Sequence, residues 1–359
     1  MIDFYNKQRI EYNSTKSEKI KVEDFIDTNP SNISWTVNLK SFLLKNKEVK
    51  YNEEIRQGLL RPFMKQNIYY NKDLIERPGL FKNLLPNKIT ENKIICVSGN
   101  GANKINCIYI VDEIIDYNAI DAGAKCFPLY YYEENTSAQK GLFDEVSESA
   151  YIRRDGVSDF ILESAKIQYG KNVTKQDVFY YVYGFLHSPE YRETFANDLK
   201  KMLPRLPLVE DVRDFWAFSK AGRQLAELHL NYESVLAFEG VTVKQPDLMM
   251  APDELYRVTK MRFPKKDQKD TIIYNGQITI NNIPAKAYEY VVNGKSAIEW
   301  IMERYQVTVH KDSGIKNDPN DWSAEVGNPS YIFDLLLSII NVSVRTVEIV
   351  EGLPRVRFE

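Results

Sequence analysis

The sequence predicts an α+β fold: strand-rich regions flank a central helical segment, and an amphipathic helix lies near the C-terminal end. Three observations predict it. Short runs rich in Ile, Val and Tyr, broken by turn residues, occupy much of the first 135 positions. Helical spacing with recognisable caps takes over between about 157 and 230. Strand signals then return around an Asn-Gly turn, ahead of the final helix.

Taken in order, the first 60 residues are polar and rich in Lys, Asn and Glu. Within them 20–26 and 36–44 read as short elements, with Phe42, Leu43 and Leu44 available to anchor one to a core. Strands are expected at 67–70, 94–97, 107–111 and 126–132, separated by turns such as Arg77-Pro78-Gly79 and Gly99-Asn100-Gly101. Residues 1 to about 135 therefore read as mixed, strand-dominated structure, and 136–156 as a loop or linker. Val157, Ile161, Ala165 and Gln168 fall on one face of a short helix. Thr174 and Asp177 have capping-box spacing, in which each side chain satisfies a free N–H of the other's backbone. The stretch 179–186 is apolar nearly all round and must be buried. Ser188-Pro189 reads as an N-cap followed by proline at the first helical position, opening a helix expected to reach about Leu203 before Pro204. A long helix follows over 209–229, with Val212, Trp216 and Leu225 near one face.

Asn275-Gly276 predicts a two-residue hairpin turn that pairs Ile273 with Ile278. A short helix is expected over 296–305 and a polar loop over 310–329. The last helix, 331–350, places Ile332, Leu335, Leu336, Ile339, Val342, Thr346 and Val350 on one face. The chain thus divides into a strand-rich mixed region (1–150), a helical scaffold (151–232), and a hairpin region with the C-terminal helix (233–359). The alternative is one compact domain over 55–355.

Lys and Arg total 47 against 50 Asp and Glu, giving a net charge of −3. That balance excludes a surface coated in positive charge for indiscriminate nucleic-acid binding, while allowing a local basic face. With 43% hydrophobic and 27% charged residues, the chain has enough apolar material to fold. Cys96, Cys107 and Cys126 match no zinc-type CxxC spacing, and a reducing compartment is the simplest reading. The opening MIDFYNKQRIEY has no apolar signal core, and the apolar run 335–344 is too short to span a bilayer. A cytoplasmic location without a membrane partner is expected.

His187, His229 and His310 sit on different elements without metal-ligand spacing, and read as structural. The glycines of GNGANK, residues 99–104, lack phosphate-loop spacing and read as a turn. Asn328-Pro329-Ser330-Tyr331 is similar to the Asn-Pro-Pro-aromatic motif of amino-group DNA methyltransferases. The second proline is replaced, however, and the motif opens a helix, so Asn328 reads as a cap with Pro329 at the first helical position. The basic stretches are more informative. On a strand, Lys260 and Arg262 would face one way and Met261 and Phe263 the other, followed by a loop with Lys265 and Lys266. Such a strand could lie along phosphates, or be an edge protected by lysine. Arg153 and Arg154 precede a helix in a glycine-containing loop, and Arg61 and Lys65 surround the strand at 67–70.

Several blocks resemble one known family. The segment Asp177-Val-Phe-Tyr-Tyr-Val-Tyr-Gly-Phe-Leu-His-Ser-Pro-Glu-Tyr-Arg, then Leu203-Pro-Arg-Leu-Pro-Leu, then Gly222-Arg-Gln-Leu-Ala-Glu-Leu-His-Leu, resembles the C-terminal specificity region of Type ISP restriction–modification enzymes. Arg61-Pro62-Phe63 with Tyr69-Tyr70, Cys126-Phe-Pro-Leu-Tyr, Trp300-Ile-Met-Glu-Arg-Tyr-Gln-Val and Asn317-Asp-Pro-Asn-Asp-Trp are similar to further family segments, in the same order. The resemblance covers about 55–355.

It implies sequence-specific recognition of double-stranded DNA. The implied partners are methyltransferase and helicase-like domains of the same enzyme. The chain would be an excised fragment or a separately encoded specificity piece, and not an enzyme by itself. The resemblance implies no cofactor in this chain, with S-adenosylmethionine and ATP/Mg held by the adjoining N6-adenine methyltransferase and ATP-dependent nuclease domains. Arg61, Lys65, Arg153, Arg154, Lys260, Arg262, Lys265 and Lys266 are the candidate DNA contacts. The competing readings are a free-standing enzyme using His310, Asp312 and Asp318, and a protein-interaction module that bridges domains.

Overall fold

The computed structural model describes residues 1–15, 20–76, 79–104, 106–135, 150–245 and 250–358. The chain divides into two units, the first comprising Met1–Gln57, Asn67–Leu80 and Val307–Asp318, the second Gly58–Gln66, Phe81–Gln306 and Pro319–Glu359.

The chain starts helical: α1 (Ile2–Thr15), α2 (Val22–Phe25) and α3 (Val37–Leu44) occupy a region whose composition pointed to strands. Tyr5 and Tyr12, seven residues apart, share a face of α1 and are buried. Thr36 caps α3 by accepting from the Leu39 N–H. These helices enclose a small core with Val22, Ile26, Ile33, Leu39, Leu43 and Val49. Of the three anchors expected on α3, Leu43 is fully buried and Leu44 is exposed. Asn6 closes this unit by exchanging hydrogen bonds with both backbone groups of Val49.

Strands follow: β1 (Ile55–Arg61) and β2 (Met64–Tyr69), then, after α4 (Phe81–Leu84), β3 (Ile94–Val97), β4 (Ile108–Val111), β5 (Ile114–Ile115) and β6 (Lys125–Pro128). In the second unit β3 is the middle strand of an antiparallel sheet between β4 and β6, while β1 pairs in parallel with β5. Every residue of β3 and β4 is buried, which is why both read as unbroken apolar runs. Strand alternation then divides them between two cores. Ile94, Cys96, Tyr109 and Val111 enter one, and Ile95, Val97, Ile108 and Ile110 the other.

The strand expected over 126–132 is interrupted at Leu129. There the Leu129 N–H bonds to Lys93 O and its carbonyl accepts from Gly156, so the chain changes partner. β7 (Tyr130–Glu134) pairs with β8 (Tyr151–Asp155). Residues 136–149, most of the expected linker, and the turn residues Arg77 and Pro78 lie outside the described residues. Gly99–Gly101 falls in turn structure, with Gly101 at φ 83°.

The helical segment is present, with its faces displaced from expectation. In α5 (Asp159–Tyr169) the buried residues are Ala165 and Tyr169, while Ile161 and Gln168 are exposed. Tyr169 is drawn inward by stacking on Phe215, centroids 4.1 Å apart. α6 (Lys175–Leu186) has the complete Thr174–Asp177 capping box, and residues 179–186 are buried except for half-buried Val182. α7 (Pro189–Thr194) has the expected Ser188 cap but ends well short of Leu203. Beyond it the chain continues in turns, with the Leu199 N–H on Phe195 O, and Lys200 O accepts from the Gly101 N–H. α8 (Val212–Leu230) buries Phe215, Phe218, Gly222, Leu225 and Ala226, whereas Val212 and Trp216 are 42% and 38% exposed.

Two glycines explain that face. A Cβ on Gly222 would lie 1.9 Å from Tyr180 O, and one on Gly184 would lie 2.1 Å from Phe218 O. α6 and α8 therefore cross backbone to backbone, and only the Gly222 side of α8 can turn toward α6. Ser219 Oγ donates to Asp177 O across the crossing, and Arg223 reaches Asp177 Oδ1 at 2.6 Å.

The C-terminal part contains β9 (Thr242–Lys244), α9 (Pro252–Leu255), β10 (Ile272–Ile273), β11 (Thr279–Asn281), β12 (Val291–Val292), β13 (Lys295–Ser296) and α10 (Ala297–Arg304). The hairpin at Asn275-Gly276 is present, but Ile273 pairs with Thr279 instead of Ile278. The turn holds a third residue, and Asn275 Oδ1 accepts from the N–H groups of Gln277 and Ile278. This register puts Ile272, Tyr274, Ile278 and Ile280, all fully buried, on one face. The two-residue turn would have turned Ile278 away from the core. The expected polar loop over 310–329 holds more structure than anticipated. β14 (Thr308–Val309) pairs with β15 (Lys316–Asn317), and α11 (Asn320–Glu325) follows.

α12 (Tyr331–Glu351) buries its expected face, with Val350 half-buried, and also Phe333, Leu337, Ile340, Val344 and Val347. It is amphipathic as expected, with a wide buried face and Asp334, Arg345 and Glu348 exposed on the other. It starts two residues after Pro329: Ser330 is the residue before its first turn, and Asn328 Oδ1 accepts from the Ser330 N–H.

His187 and His229 are buried scaffold residues. The His229 Nδ1 is 2.7 Å from Tyr183 Oη and its Nε2 is 2.9 Å from Thr346 Oγ1, while its ring stacks on Tyr290. The His187 Nδ1 is 2.8 Å from Tyr183 O.

Gly222→Ala is expected to destabilise the protein by about 3 kcal/mol in denaturant unfolding, because the backbones must separate. The helix-propensity gain of about 1 kcal/mol does not offset this. Gly276→Ala meets open space and should stay within about 0.5 kcal/mol of wild type. Burial pushes His187 down to about 4 and also lowers His229. Unfolded histidines bind protons below about 6.5, before the folded ones do, so stability must fall as pH drops. A loss of about 3 kcal/mol is expected for His187 by pH 4. Denaturation midpoints between pH 6.5 and 5, above the main carboxylate range, test this; a flat profile there contradicts it.

Candidate nucleic-acid interface

Arg153 and Arg154 lie on a strand, β8, and not in the expected loop. Arg153 stands opposite Tyr132 and Arg154 opposite Tyr131, so the two guanidinium groups leave opposite faces of the β7–β8 ribbon. The Arg153 guanidinium lies 4.4 Å over the Tyr130 ring, a cation–π contact that orients it without consuming its donors. Arg154 Nε bonds to Glu133 Oε2 at 3.1 Å, in an exposed pair that is worth little in water. Tyr131 and Ile152 are also exposed. The ribbon thus shows side chains on both faces. The aromatic partners were missed by reading charge alone; the run Tyr130-Tyr131-Tyr132 upstream of the Arg153-Arg154 pair was the available signal.

The 260–266 segment has the expected side-chain alternation. Met261 is 3% exposed and Phe263 half-buried, while Lys260, Arg262, Lys265 and Lys266 are exposed. It is not a full strand: a single bridge joins Arg262 to Ile273 through hydrogen bonds of 3.0 and 2.9 Å. The apolar residues hold the segment down, and the four cations stand in water. No ion pair engages those four among the described residues. No hydrogen bond, ion pair or ring contact links this group to Arg153 or Arg154 among the described residues.

Arg61 and Lys65 are placed differently. Arg61 Nη1 bonds to Asp116 Oδ1 at 2.8 Å. Lys65 is within 3.0 Å of both Glu113 and Glu233, with 12% of its side chain exposed. Glu233 also accepts from Tyr331 Oη at 2.5 Å. Burial opposes the Lys65 charge, but the two carboxylates outweigh it and hold the ammonium above its usual range. Burial raises Glu113, against the pull of Lys65. Lys65 is therefore an internal counter-ion.

His310 is exposed and bonds to Ser313, Asp312 is exposed, and Asp318 pairs with Lys316. Among the described residues no three His, Cys, Asp or Glu side chains converge to hold a metal. An open groove of about 1020 Å³ lies against α8 and α12, lined by Arg223, Glu227, Arg345 and Glu348 above Leu228. Its opposite charges are balanced. No helix among the described residues is long and apolar enough to cross a membrane.

The described surface carries exposed cations and aromatics on the β7–β8 ribbon and exposed cations on the 260–266 segment, while the buried imidazoles are bonded internally. Over residues 1–335 the sequence matches the Type ISP C-terminal specificity domain, and the chain belongs to that family. Solved structures agree. The ATP-dependent Type ISP restriction-modification enzyme LlaBIII bound to DNA is 37% identical, with a TM-score of 0.84 over 100% of this chain and 21% of that one. A nuclease-deletion mutant of the Type ISP enzyme LlaGI, in complex with a DNA substrate mimic, is 37% identical with a TM-score of 0.82, covering 100% of this chain and 30% of that one. The DrdV–DNA complex is 25% identical with a TM-score of 0.80, covering 99% and 33%. This chain thus spans a third or less of the length of these proteins. No curated protein matches it.

The triad generates a prediction that separates Lys65 from the exposed cations. Lys65→Met leaves the half-buried Glu113 and Glu233 without their counter-ion, and should cost about 3 kcal/mol in denaturant unfolding, the low end for a buried pair. An unchanged unfolding midpoint would show that Lys65 is free to act elsewhere.

Proposed function

We propose that the chain recognises a duplex DNA target for a restriction–modification enzyme. In this reading it positions the DNA for an adjoining N6-adenine methyltransferase and an ATP-dependent nuclease. The observation that carries the reading is the match of the whole chain, at 37% identity, to two Type ISP enzymes solved with DNA or a DNA mimic. S-adenosylmethionine and ATP/Mg belong to the adjoining domains, this chain does no chemistry alone, and the assembly works in the cytoplasm.

Recognition needs phosphate contacts for register and base-edge contacts for sequence. Arg153 and Arg154 sit on a two-stranded ribbon, a shape that a major groove admits. Lys260, Arg262, Lys265 and Lys266 are exposed cations on a segment anchored by Met261. These six residues are assigned to the DNA face. Arg61 and Lys65 are left out, because carboxylates hold them where their side chains are only 29% and 12% exposed, whereas the Arg154–Glu133 pair stands half in water.

The test joins the chain to its methyltransferase and measures duplex binding by gel shift at several salt concentrations. Replacing Lys265-Lys266 or Arg153-Arg154 by Ala should reduce the salt slope by about 0.9 per lost phosphate contact, across all sequences. A base-reading arginine should instead relax preference at one base pair, costing about 1–3 kcal/mol there. Unchanged affinity and slope for both variants removes these residues from the face. Absence of any sequence preference in the joined protein removes the recognition reading.

A further inference from the structure

Two of the three cysteines face each other. Cys96 of β3 lies directly opposite Cys126 of β6 in the antiparallel pair, and their Sγ atoms are 3.7 Å apart. Both are free thiols. Directly opposed residues on antiparallel strands have Cβ atoms about 4.5–5.5 Å apart, and a disulfide needs about 3.5–4.5 Å. Closing a bridge therefore asks for a small approach of two strands already hydrogen-bonded in that register.

The two thiols are unequal in access. Cys96 is completely buried among Ile94, Cys107 and Tyr109, while Cys126 is half-buried, with exposed Lys125 and Phe127 on either side. A hydrogen bond from Cys96 and the charge of Lys125 hold the Cys126 thiol below its ordinary range. The same hydrogen bond and burial hold Cys96 up. Cys107 is the internal contrast: it is buried, its backbone N–H is engaged by Ser98 Oγ, and burial pushes its thiol up to about 11. A half-buried cysteine backed by a second thiol within contact distance is the arrangement of an attacking and a resolving cysteine.

We propose that Cys96 and Cys126 form an oxidisable dithiol site whose reagent is a small disulfide of the glutathione type. The Cys126 thiolate attacks one sulfur of the reagent, forming a mixed disulfide and expelling one reagent thiolate. Cys96 gives up its proton and attacks Cys126 Sγ, which expels the second reagent thiolate and leaves a Cys96–Cys126 disulfide. The two protein thiols are oxidised, the reagent is reduced to two thiols, and the two protons lost by the protein are taken up by the departing thiolates. The product ties β6 covalently to β3 at Cys126, four residues before β7 and its ribbon begin at Tyr130. The site stands independently of the DNA reading.

The test treats the full native chain with oxidised glutathione, alkylates the remaining thiols and maps the peptides by mass. The expected product has lost about 2 Da, contains a peptide linking Cys96 to Cys126, and reverts with dithiothreitol. Cys107→Ala should behave as wild type, and Cys126→Ser should not react. Cys96→Ala should stop at a glutathione adduct on Cys126. The wild-type peptide map decides the matter even if a variant folds poorly. Retention of all three thiols, a persistent adduct in wild type, a bridge through Cys107, or only intermolecular bridges would each overturn the proposal.

Discussion

The contact on which the second unit depends is the crossing of α6 and α8 at Gly184 and Gly222. A side chain at either position would collide with a carbonyl of the opposite helix. That approach brings Ser219 and Arg223 to Asp177 and turns Phe215, Phe218 and Leu225 inward. It also sets the rotation of α8, and hence which histidine and which aromatic residues reach the interior. Apolar burial supplies the bulk of the stabilisation, but its geometry follows from a backbone contact that only glycine permits.

Around that crossing the unit is organised by two sheet strands, β3 and β4, buried on both sides. Alternate residues of β3 and β4 feed two cores, so a change on one strand is felt on both sides of the sheet. α8 does the same lengthwise: Phe215 and Leu225 belong to one core and Leu228 to the other. α12, with its wide apolar face buried, completes one core and meets His229 through Thr346. Some polar groups inside this arrangement are paired, whereas the buried hydroxyls of Tyr232 and Tyr290 have no hydrogen-bond partner among the described residues. His229 has a partner at each ring nitrogen, and Lys65 has two carboxylates.

The electrostatics explain how a slightly acidic chain can carry a cationic face. Some cations are consumed internally or locally, as Lys65 is by Glu113 and Glu233 and Arg61 is by Asp116. Others are left in water by the strand geometry itself. In the 260–266 segment the apolar positions go down and the charged ones up, so a local basic patch arises without any global excess of positive charge.

The sequence by itself determined what depends on neighbours a few residues away. The Thr174–Asp177 capping box, the Ser188-Pro189 helix start, the α+β class, the existence of the Asn275 hairpin and the core face of α12 were all legible, because hydrogen bonds and side-chain periods of short range specify them. The alternation around Met261 was legible for the same reason. The tertiary structure decided what depends on distant partners. The inward face of α5 followed from Tyr169 meeting Phe215, and that of α8 from the two glycines. The hairpin register followed from the need to bury Ile278 beside Tyr274. The different fates of Lys65 and Lys265 were set by Glu113 and Glu233, residues 48 and 168 positions beyond Lys65 in the chain. Charge and periodicity are local properties of a sequence, whereas burial and pairing exist only once remote segments have been brought together.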